Sequence, residues 1–116
     1  MSEFVSLLET KSDETHYGHR RRHMKALEVG PYTLSVQASE FHYCTPRVTV
    51  PVEEYTEWEC ALWTEERWLS VEKDPEVFDG LAVAKQWEDG ESPVGGYLPT
   101  ADVQALWDRL NELSDV

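Results

Sequence analysis

The sequence predicts a small α+β protein, an antiparallel sheet of roughly three to five strands packed against a C-terminal helix, with a helical segment at the N-terminus. Three stretches carry that prediction. In YTLSVQA (32–38) the apolar Tyr32, Leu34, Val36 and Ala38 alternate with Thr33, Ser35 and Gln37, the period of a half-buried strand. In TEWECALW (56–63) Trp58, Cys60 and Leu62 share one face, while Glu57 and Glu59 take the other. Near the C-terminus, Val103, Leu106, Trp107, Leu110 and Leu113 recur at helical spacing and form one apolar stripe.

The remaining elements follow in chain order. EFVSLLE (3–9) places Phe4, Leu7 and Leu8 at helical spacing, but it is too short to hold a helix without a surface to dock on. SDETHYGHRRRHMKALEVG (12–30) reads as a helix over about 13–28, with Ser12 as cap, acids in the first turn and Gly30 as stop. Its apolar face, Tyr17, Met24 and Leu27, is thin, and Gly18 weakens its middle. VTVPV (48–52) alternates, yet Pro51 cannot donate to a ladder, which confines that strand to an edge. WLSV (68–71) follows the TEER turn (64–67) as the second arm of a hairpin. Acids, prolines and glycines between 72 and 96 mark loops around LAVAKQW (81–87), and Thr100 stands where a cap for the last helix is expected.

With 116 residues, 41% of them hydrophobic, the chain has material for one modest core. Its formal net charge is -13. Residues 1–30 balance five bases against five acids; residues 31–116 carry 18 acids and five bases, and therefore the whole excess. This divides the chain into a histidine- and arginine-rich front segment (1–30) and an acidic α+β domain (31–116). So much negative charge repels nucleic acid and anionic membranes, so neither is an expected partner. Two cysteines, Cys44 and Cys60, imply no disulfide framework, and the expected location is the cytoplasm.

Chemistry-bearing residues concentrate in SEFHYCTPR (39–47). Ser39, His42, Tyr43 and Arg47 supply hydroxyls, an imidazole and a planar cation, the equipment either to hold a phosphate or to anchor a loop on backbone carbonyls. Cys44 beside His42 has no orienting acid fixed by the sequence, so no catalytic dyad is assigned. His16, His19 and His23 fall on one face of the expected helix and could join His42 and Cys44 around zinc, but Arg20, Arg21 and Arg22 interrupt them. No metal and no cofactor is expected. The carboxylates Glu57, Glu59, Glu65, Glu66, Glu72 and Asp74 form the candidate partner-binding set, an acidic face suited to a basic protein surface. Trp58 and Trp107 belong to the core; among Trp63, Trp68 and Trp87, one or two are expected at an interface. P-loop, Rossmann and HExxH patterns are absent from the sequence, and no carboxylate pair of defined separation argues for glycosidase chemistry.

The run TLSVQASEFHYCTPR (33–47), with YTEWECALW (55–63) and GGYLPTADVQALW (95–107), resembles a group of small bacteriophage proteins. The elements that carry the resemblance are 35–38, 42–47, 57–62 and 96–99, and it extends over about residues 32–107. It implies a phage or mobile-element setting of host takeover or defence evasion; taken with the acidic domain and the lack of a complete catalytic constellation, the expected function is a non-enzymatic inhibitor that binds a host protein through the acidic face as a nucleic-acid mimic. The alternatives are a module that sequesters a nucleotide or other phosphate-bearing small molecule, and a virion or assembly protein. The basic front segment also suggests a homo-oligomer, with its arginines laid across the acidic surface of a second copy.

Overall fold

The computed structural model describes residues 3–88, 90 and 93–115, apart from the His16 side chain. A short helix, α1 (Glu3–Leu7), leads into a two-stranded hairpin of β1 (Thr10–His16) and β2 (His19–Met24). A five-stranded antiparallel sheet follows in the order β3 (Leu27–Val29), β4 (Tyr32–Gln37), β5 (Glu57–Trp63), β7 (Val94–Pro99) and β6 (Trp87–Glu88). A one-turn helix, α2 (Pro75–Phe78), and a 3-10 turn (Ala82–Gln86) cross between β5 and β6, and α3 (Thr100–Ser114) closes the chain. Part of the loop expected around 88–93 lies outside the described residues.

The alternating strands fold as their periodicity predicts. Leu34 and Val36 of β4 and Trp58, Cys60 and Leu62 of β5 are buried beneath α3, which contributes Val103, Leu106, Trp107 and Leu110. The opposite sheet face carries Thr33, Ser35, Gln37, Glu57, Glu59, Ala61 and Trp63, all half-buried. Phe4 meets Trp58 edge-on at 5.5 Å and its amide donates to Gln104 Oε1, so α1 docks on α3. Phe4, Val5, Met24 and Leu27 therefore share one core with the acidic domain. At Gly95 a Cβ would come within 2.7 Å of the Trp87 ring, which is why β7 has no side chain there.

Five local expectations are corrected. Residues 13–28 are not a helix: Tyr17 and Gly18 both take positive φ, 51° and 81°, the two-residue turn that reverses a hairpin. A thin apolar face could not hold a helix, whereas the ladder pairs charges across the strands, with Asp13 and Glu14 opposite Arg22 and Arg21. Gly30, φ 55°, turns β3 into β4 instead of stopping a helix. VTVPV forms no strand; the Tyr55 hydroxyl pins it by donating to Val48 O and accepting from the Val50 amide. Thr100 opens α3 without capping it: its hydroxyl oxygen accepts from Trp58 Nε1 at 2.9 Å, tying the helix start to the sheet. WLSV is not a strand: it meets β5 through the Trp63–Trp68 bridge and a bond from Leu69 N to Leu62 O.

Candidate functional site

The 39–47 segment leaves β4 at the sheet edge and splits its polar side chains between two faces. Ser39 and His42 turn inward. Ser39 Oγ accepts from the Phe41 amide and lies 2.6 Å from His42 Nδ1, so a tight turn closes on a buried hydroxyl and imidazole. Cys44 is buried with its thiol on the Ser39 and Pro46 carbonyls, and burial pushes its pKa up. Tyr43 and Arg47 turn outward: the Arg47 guanidinium lies over the Tyr43 ring at 5.3 Å, and Tyr43 packs against Tyr97. The four residues expected to form one anion site thus stand apart. Ser39 and His42 anchor the loop, and Tyr43 and Arg47 form an exposed ledge.

Inside, a cleft of about 170 Å³ on the open sheet face is lined by His23, Ser35, Gln37, His42, Glu59 and Cys60 among others. The His42 ring is held near pKa 4, first by burial and then by His23, Arg21 and Arg22. His23 is lowered for the same leading reason, and burial raises Glu59. Glu59 accepts the Tyr43 amide and Glu57 the Thr45 hydroxyl. Both therefore brace the 43–45 loop. The Cys60 thiol is fully buried and pushed far up by desolvation, which leaves it inert as a nucleophile. The zinc reading loses its geometry because its helix is a hairpin; among the described residues no three His, Cys, Asp or Glu groups are placed to hold a metal ion.

Asp74 also leaves the partner-binding set. It is 2% exposed, forks with Arg67, and accepts the Ser70 amide at 2.9 Å. Glu65, Glu66 and Glu72 remain exposed and, with Glu28, have no ion pair among the described residues. They border adjoining hollows of about 610, 500 and 410 Å³ that share the 64–68 turn. Trp68, 42% exposed, lines the two smaller hollows beside Arg67 and Lys73, and packs on Trp63 with ring centroids 5.1 Å apart. The sequence signal for this pair was the tryptophan on each side of TEER; Trp87, stacked on Phe78, is core.

The front segment is largely neutralised within the chain. Arg20 pairs with Asp13 and Lys25 with Glu9, while Arg22 is buried against Ala38 O and Tyr55 OH. Lys11 and Arg21 stay exposed and take no part in these contacts. No helix among the described residues is long and apolar enough to cross a membrane. No protein-family model, curated protein or solved structure matches this chain.

Proposed function

We propose that this is a non-enzymatic binding protein whose acidic, tryptophan-bearing end docks on a basic protein surface. In the phage setting that the sequence resemblance implies, the partner is a host protein and the docked end occupies its nucleic-acid groove. The observation that carries the proposal is the Trp63–Trp68 pair, standing partly exposed beside Glu65, Glu66 and Glu72. An aromatic anchor inside a charged rim is the anatomy of an interaction hot spot. The rim steers a basic partner, and desolvating the indole supplies the affinity. Inert chemistry elsewhere supports the same reading, since Ser39, Cys44 and Cys60 are all buried and their nearest imidazole is a loop anchor.

A photo-crosslinking residue placed at position 68, with position 43 as control, tests this in host extract. Capture at 68 of a basic, nucleic-acid-binding protein that is absent from the position 43 sample supports the proposal. Equal capture at both positions, or products containing only this chain or virion proteins, rejects it.

A further inference from the structure

The hairpin and the 39–45 loop meet at a pair of imidazoles. His23 projects from β2 and His42 from the loop, with ring centroids 5.3 Å apart and planes at 77°. His42 is 8% exposed and its Nδ1 is fixed by Ser39. Around the pair stand Arg21 and Arg22 from β2, Lys11 and Glu14 from β1, Ser39 from the loop, Ser35 and Gln37 from β4, and Glu59 and Cys60 from β5. Most charges facing it are positive. Arg22 is itself buried, its Nη2 met by the neutral oxygens of Ala38 and Tyr55 and its Nε by no partner. The seam thus already holds one buried cation on neutral acceptors, a poor place to add two more.

We propose that the His23–His42 contact is an acid-sensitive latch: the neutral pair holds the β1–β2 hairpin on the 39–45 loop, and protonation of the pair releases it. Glu59, the one carboxylate lining the cleft with both rings, already accepts the Tyr43 amide, and burial raises its pKa, so acid also removes the counter-charge. With His42 held near 4 against an ordinary 6.5, the docked ring binds a proton about 300-fold more weakly than a free one. By reciprocity, the part of that weakening that the docked hairpin imposes is the factor by which a protonated His42 shifts the docking equilibrium toward release. Release opens the cleft over Ser35 and Glu59, while the Gln37–Met24 bonds keep the hairpin tethered to β4 and the core stays closed.

NMR titration of the full chain from pH 7.5 to pH 3.5 tests the latch, reading the histidine ring signals together with the cross-peaks between His23 and His42. The expected result is loss of those cross-peaks as the rings titrate, with the β4–β5 cross-strand peaks retained. His42→Gln and, as a second variant should that one not fold, His23→Gln should abolish the step. Three results would overturn the proposal: cross-peaks that persist with both rings protonated, an unchanged step in a folded variant, or loss of hairpin and sheet peaks together.

Discussion

Replacing Asp74 separates a structural carboxylate from the binding surface beside it. In the folded protein its two oxygens take both arms of the Arg67 fork and the Ser70 amide, and its carbonyl accepts from the amides of Val77 and Phe78 in α2. Asp74→Ala strands the amide of Ser70, a buried residue, at about 1–3 kcal/mol for an unsatisfied donor. The Arg67 side chain is 44% exposed, so its half of the ion pair is screened and adds only about 0–1 kcal/mol. The sum is about 1–4 kcal/mol, read by urea denaturation followed through tryptophan fluorescence. The Arg67 fork holds the Asp74 carboxyl below its ordinary 3.8. Its stabilisation is therefore complete above that value and is lost as pH falls through the lower folded pKa, so wild type and variant should converge in acid. A difference under about 0.5 kcal/mol at pH 7 would refute the reasoning, as would a difference that grows in acid.

Other substitutions probe the core and the corrected turns. Leu106 is fully buried beneath the sheet, and Leu106→Ala should cost about 2–5 kcal/mol in the same urea assay. A near-neutral result would reject the packing of α3. Gly30→Ala places a Cβ within 2.6 Å of Ser114 Cβ at positive φ, so melting should show a loss of about 1 kcal/mol or more; a stabilised variant would contradict the β3–β4 turn. Both thiols should resist a water-soluble disulfide reagent until the protein unfolds, since Cys44 and Cys60 are buried and protonated. Rapid labelling of the native protein would place one of them at the surface.

The parts of the fold legible in the sequence are those that bury one clean face. β4, β5 and α3 announce themselves because alternation or helical spacing must match a single core. The β1–β2 hairpin has no such face; it is held by Asp13 on Arg20 and by the Gln37 carboxamide, which pairs with both the amide and carbonyl of Met24. Those contacts cross 7 and 13 positions and leave no period to read. Tyr17, Met24 and Leu27 fall at helical spacing by coincidence. The same distance problem hid the site: Ser39 and His42 form a turn readable from three-residue spacing, but His23 reaches His42 only because the hairpin folds back. Asp74 looked like one more surface acid because nothing in the sequence shows that its loop closes over Arg67.

The central claim is that the exposed Trp68, packed on Trp63 and flanked by glutamates that take no ion pair among the described residues, is the docking surface. It is tested most directly by the dissociation constant of the crosslinked partner, measured at low and physiological salt for wild type, Trp68→Ala and the double reversal Glu65→Lys, Glu66→Lys. The account predicts that wild-type binding weakens as salt rises and that Trp68→Ala loses about 30-fold, or about 2 kcal/mol. The reversal should also flatten the salt dependence, with all three proteins equally stable to urea. Binding that ignores salt, Trp68 and both glutamates alike would contradict it.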